Sequence, residues 1–97
     1  MSGGAFDYVQ QRIHDVASEL ETLTDEIRLG KPGFEHLSIE TINKFYEGVK
    51  ALWVAEAYIH RIDWLVCADD GEQDFHKFLK DDLANVEFCW ERLKGKK

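Results

Sequence analysis

The sequence predicts an all-α fold: a three-helix, up-down-up bundle with a long central helix, one that oligomerises. Three observations carry this. Apolar residues recur at steps of three and four, the period of a helix, rather than alternating as in a strand. Punctuation falls at two places, around Pro32 and in the polar run Ala68-Asp69-Asp70-Gly71-Glu72, which leaves three long segments free to be helical. The middle segment carries two apolar stripes where a surface helix needs one.

The first helix is predicted from about residue 6 to 28. Phe6, Val9, Ile13, Val16, Leu20, Leu23 and Ile27 form an unbroken heptad seam, which predicts packing along the whole length against a nearly parallel or antiparallel helix. Gln10, Gln11, Asp15, Glu19, Glu21, Asp25 and Glu26 are expected to face outward. Gly30 is a natural C-cap and Pro32 prevents continuation. Residues 29–37 read as a loop that Phe34 and Leu37 pin to the bundle. Ser38 is the expected N-cap of the second helix, with Glu40 in its first turn answering the helix dipole.

The second helix is predicted over residues 39–67, roughly 40 Å at 1.5 Å per residue. One stripe is Ile42, Phe45, Val49, Leu52, Ala55, Ile59, Ile62 and Val66. The other is Tyr46, Trp53, Ala57 and Trp64, with Lys50 and Arg61 among them. Asp69 or Asp70 is the expected N-cap of a third helix over about residues 71–93. Its seam is Phe75, Leu79, Leu83, Val86, Trp90 and Leu93, with Phe78 and Cys89 beside it. The tail from Gly95 is expected to fray. Residues 1–97 are read as a single helical domain with more apolar surface than three helices can cover, hence a homo-oligomer, with closed symmetry the default.

The chain has 97 residues, 44% hydrophobic and 32% charged, with a formal net charge of −7. This is ordinary globular composition, and the acidic balance argues against binding a nucleic-acid polymer, whose affinity comes from many cations. A local cationic pocket for one small anion remains open. The start shows no basic region followed by an apolar run, so no secretory signal is expected, and with no run of roughly 18 apolar residues no membrane contact is expected. Two cysteines, Cys67 and Cys89, make no disulfide framework, and a cytoplasmic location is the expectation.

No metal or cofactor is expected. In the acidic run 69–74, Val66 and Cys67 fall where calcium ligands belong and Lys77 stands where the loop's closing Glu should be. His60, Cys67, His76 and Cys89 lack the close pairing of zinc ligands. Glu56, His60 and Asp63 share one side of the second helix and could do acid–base work. No matching carboxylate motif recurs on another helix, so a satisfied buried His or a polar register pin is the preferred reading, and no catalytic residue is assigned.

Two binding candidates remain. In the first, Gly3 and Gly4 precede Phe6, Tyr8 and Arg12. Glycines before a helix let backbone N–H groups approach an anion, and an aromatic one turn from a guanidinium can stack a base and hold a phosphate. An ordinary flexible start and cap is the plainer reading. In the second, Arg61 and Trp64 belong to the aromatic–cationic stripe of Tyr46, Lys50 and Trp53, which reads first as core plus subunit contact.

The opening Met1-Ser2-Gly3-Gly4-x-Phe6-Asp7-Tyr8, the run His60-Arg61-Ile62-Asp63-Trp64-Leu65-Val66 and Asp69-Asp70-Gly71-Glu72-x-x-Phe75-His76 resemble a family of short, mostly uncharacterised helical proteins from phages, prophages and bacteria. The resemblance spans nearly the whole chain; Cys67, where a small polar residue is expected, and the extended tail depart from it. It implies no agreed activity. Size and architecture are similar to those of phage sponges, oligomers that trap the nucleotide signals of bacterial immunity without cleaving them. The expectation is therefore a non-enzymatic counter-defence protein that sequesters a small, nucleotide-like ligand through Gly3, Gly4, Phe6, Tyr8 and Arg12, with Arg61 and Trp64. The alternative is an interaction module that inhibits or adapts a host protein through its acidic helical surface. A small hydrolase comes third.

Overall fold

Three helices, α1 (Asp7–Arg28), α2 (Ile39–Val66) and α3 (Glu72–Gly95), form an all-α bundle in a computed structural model that describes residues 7–66 and 71–95. The ends that fall within the described residues, at 28, 39 and 72, lie within one residue of their predicted places. Gly3, Gly4, Phe6, Cys67, Asp69, Asp70 and the last two lysines lie outside the described residues. α1 packs on α2 and α2 on α3, while the backbones of α1 and α3 stay apart, with no Cα atoms within 8 Å of each other. The result is a flat layer of 49 × 24 × 14 Å with α2 in the middle. Its radius of gyration is 16.0 Å, against about 13 Å for a compact domain of this length.

The ends of the helices follow from local chemistry. The N–H of Gly30 donates to the Ile27 carbonyl at 3.1 Å and that of Lys31 to the Glu26 carbonyl at 3.0 Å. This double bond pattern needs a left-handed residue, and Gly30 supplies it at φ 109°. Ser38 caps α2 as predicted: its Oγ accepts the Thr41 N–H at 3.2 Å, and its carbonyl accepts Ile42 N–H at 3.1 Å. Phe34 and Leu37 fold back onto the core, also as predicted. In α3 the Gly71 carbonyl accepts the Phe75 N–H at 2.9 Å and opens the helix, while Asp69 and Asp70, the predicted caps, lie outside the described residues.

The core sits at one end of the layer. Ile27, Ile42, Tyr46, Val49, Trp90 and Leu93 are buried there, with Leu20, Leu23 and Trp53 packed against them. Burying a side chain such as Val49, which is fully enclosed, contributes about 1.5–3 kcal/mol. A buried polar set joins α1 to α2. The Tyr46 hydroxyl, in a residue only 1% exposed, donates to Asp25 Oδ1 at 2.5 Å and accepts from Arg28 Nε at 3.1 Å. Burial and the Asp25 carboxylate beside it push the Tyr46 phenol above its ordinary range. Asp25 was expected to face outward; it turns inward because Tyr46 brings a donor that needs an acceptor.

The seam of α1 is also corrected. Its C-terminal half is covered, but Val9 is 45% and Val16 43% exposed. The line of deepest contact runs instead through Ala17 and Thr24, 1% and 0% exposed. Small residues let the helices approach: a Cβ on Gly48 of α2 would stand 3.6 Å from Leu20 Cδ2. Thr24 can be buried because its Oγ1 donates to its own helix, at the Leu20 carbonyl, 2.7 Å away.

Candidate functional site

Because the backbones of α1 and α3 stay apart, the far half of α2 forms the floor of an open cleft between them. The cleft encloses about 600 Å³. Trp53, Glu56, Ala57, His60 and Arg61 rise from the floor, and their spacing of three and four places them on one face of α2. α1 contributes Gln10. α3 contributes Asp82, Asn85, Val86, Phe88 and Cys89. Trp53 and Cys89 continue into a smaller depression of about 330 Å³ with Glu21 and Arg92. The two form one groove along the layer.

The polar groups of the cleft are mostly tied across helices. Arg61 Nε donates to Asp82 Oδ2 at 2.6 Å, and its guanidinium lies 5.1 Å from the Phe78 ring centre. His60 Nδ1 is hydrogen-bonded to Gln10 Oε1 at 3.3 Å. His14 Nδ1 stands 3.2 Å from a Glu56 carboxylate oxygen. Further along, Lys50 Nζ pairs with Glu87 at 2.8 Å and lies 5.5 Å from the Trp90 ring. Lys50 and Arg61, read as part of an aromatic–cationic stripe, therefore fasten α2 to α3.

The Glu56, His60 and Asp63 set is divided. Glu56 faces His14, His60 faces Gln10, and Asp63 is buried, 1% exposed. Among the described residues, no group of three or more His, Cys, Asp or Glu stands close enough to hold a metal ion. No helix among them is long and apolar enough to cross a membrane.

The two candidate binding sets also separate. Tyr8 and Arg12 lie in a different, shallow depression of about 390 Å³ with Val9, Ile13, Val16 and Leu52. Arg61 lines the main cleft. Trp64, 36% exposed, packs obliquely on His60 with ring centres 5.7 Å apart. Gly3, Gly4 and Phe6 lie outside the described residues. Sequence reasoning missed Gln10, Asn85 and Phe88. Phe88 carried a signal: it is a large apolar residue off the α3 seam, and it is 62% exposed. Cys89, read as a small hydrophobe beside the seam, is likewise exposed and lines the cleft.

No family model matches the chain, and neither a curated protein nor a solved structure is similar to it at a significant level.

Proposed function

We propose that the protein is a non-enzymatic binding protein that holds a small, planar, nucleotide-like ligand in the cleft between α1 and α3. The observation that carries this is the lining. Trp53 and Phe88 offer aromatic surface for stacking a base, and the amides of Gln10 and Asn85 offer both donors and acceptors for its edge. The groove leads on past Trp53 and Cys89 to the Arg92 guanidinium, which suits a phosphate. The glycine-led start is a separate candidate: Tyr8 and Arg12 line a different depression, and Gly3, Gly4 and Phe6 lie outside the described residues. Sequestration without cleavage fits a cleft in which His60 and Glu56 each face a partner from α1 instead of each other. The counter-defence role implied by the resemblance requires this binding first.

The net charge of −7 favours a second reading, a docking site for a basic helix of another protein along the same groove. Titration calorimetry with cyclic and linear di- and trinucleotides and ADP-ribose decides between them, with ligand integrity followed by chromatography. The proposal expects binding of at least one member, recovered intact after denaturation, and weakened at least tenfold by Asn85→Leu or Phe88→Ala. Turnover that vanishes in His60→Ala would overturn the non-enzymatic reading. No binding across the panel would favour the basic-helix reading.

A further inference from the structure

On the side away from the cleft, the C-terminal half of α2 and the N-terminal half of α1 expose a run of apolar side chains, while the N-terminal half of α2 carries the exposed Lys44–Glu47 pair on the same helical face. Residues two apart on a helix point about 200° apart, so Tyr58 and Ile62 project away from the side on which His60 lines the cleft. Ala51, Ala55, Tyr58, Ile62 and Val66 succeed one another on this side at steps of four, three, four and four, with no charged residue among them. Tyr58 is 42%, Ile62 37% and Val66 63% exposed. α1 extends the patch with Val9 and Val16, from the bare half of its seam, and with Tyr8 beside them, meeting α2 at Leu52. Leu52 and Val66 stand two heptads apart on the same face of α2, so the two parts are continuous.

We infer that this face is the contact for a second copy of the chain, with the two α2 helices crossing antiparallel about a two-fold axis near Tyr58 and Ile59. Self-complementarity argues for a copy over a foreign partner. Antiparallel pairing about that point sets Ala51 opposite the partner subunit's Val66 and Ala55 opposite the partner subunit's Ile62. A small side chain meets a large one at both pairs, on both sides of the axis, as an isologous contact requires. The exposed side chains of the patch present on the order of 500 Å² of apolar area, most of the ~800 Å² that each partner contributes to a standard interface. Arg12 is the one charge in the patch, so the net charge of −7 per chain is carried elsewhere and little repulsion is focused on the contact. Both clefts stay open, facing outward.

Sedimentation equilibrium of the full chain at micromolar concentration tests this, with circular dichroism to check folding. The wild type is a dimer. Ile62→Glu, at a position partly exposed in the protomer, keeps its helicity and weakens the dimer roughly 100-fold or more, because it places a charge in apolar contact on both sides of the axis. Phe88→Glu, on the cleft side, leaves the dimer intact. The register is read from a swap: Ala55→Ile and Ile62→Ala each weaken association, and the two together restore it. A monomeric wild type would overturn the inference and leave the face to a foreign partner. A dimer that Ile62→Glu leaves intact would overturn it, and a swap that restores nothing would overturn the register.

Discussion

Replacing Tyr46 with phenylalanine removes one oxygen from a side chain that is almost fully enclosed and joins α1 to α2. The ring still fills its place beside Val49 and Trp90, so little cavity is left. What is lost is the bond donated to Asp25 at 2.5 Å and the bond accepted from Arg28 at 3.1 Å. Bonds to charged groups contribute about 1.5–3 kcal/mol each, and partial rehydration of Asp25 and Arg28 offsets part of that, which leaves an expected loss of about 2 kcal/mol. The loss should depend on pH in one direction. The phenol of Tyr46 is held above its ordinary range in the folded chain, so its ionisation opposes folding. Its contribution is full below the unfolded-state value of about 10 and declines as pH rises toward the higher folded-state value, by at most about 1.4 kcal/mol per pH unit. Urea unfolding of wild type and Tyr46→Phe at equal protein concentration, from pH 7 to 11.5, measures the difference. It should be flat from pH 7 to about 10 and shrink beyond. A penalty under about 0.5 kcal/mol at pH 7, or one that stays constant to pH 11.5, would refute the reasoning.

Two substitutions and two double-mutant cycles test the frame. Gly48→Ala should be tolerated and raise stability by up to about 1 kcal/mol, since its new methyl group meets Leu20 at ordinary contact distance and Ala is the better helix former; thermal unfolding checks this. Gly30→Ala should cost about 1 kcal/mol by the same measurement, because φ of 109° strains any residue with a Cβ. Breaking the Arg61–Asp82 pair should cost about 1–2 kcal/mol, and a double-mutant cycle with Asp82→Asn should return a coupling near that value, since both side chains are largely buried. The His14–Glu56 contact, with His14 60% exposed, should return less than about 0.5 kcal/mol in the same kind of cycle.

The helices and their ends were legible because each rests on local chemistry. Gly30, Ser38 and the three-four spacing act within a turn or two of themselves. What was not legible depends on contacts between helices. Periodicity marked Val9, Ile13 and Val16 as a face to be covered, but it cannot say whether a neighbour from the same chain covers it. Ala17 and Thr24 were invisible to a tally of large apolar residues, though their small size is why α1 lies close to α2. Asp25 was placed outward because nothing on its own helix reveals Tyr46, 21 positions later. The cleft was hidden for the same reason. Gln10 and Asn85 have no spacing motif, and they come to line one cleft only because α1 and α3 stand on either side of α2. Phe88, out of step with the seam of α3, carried a signal in its position alone, as did Trp53 and Arg61 of the stripe on α2.

Native mass spectrometry of the protein purified from bacterial cells, before and after denaturation, tests the central claim most directly. The account predicts that the wild type carries one small, non-covalent ligand per chain, released intact on unfolding, and that the Asn85→Leu and Phe88→Ala variants fold but emerge without it. Wild-type protein that carries no ligand from cells and takes none up from the nucleotide panel would contradict the claim. So would retention of the same mass by both cleft variants.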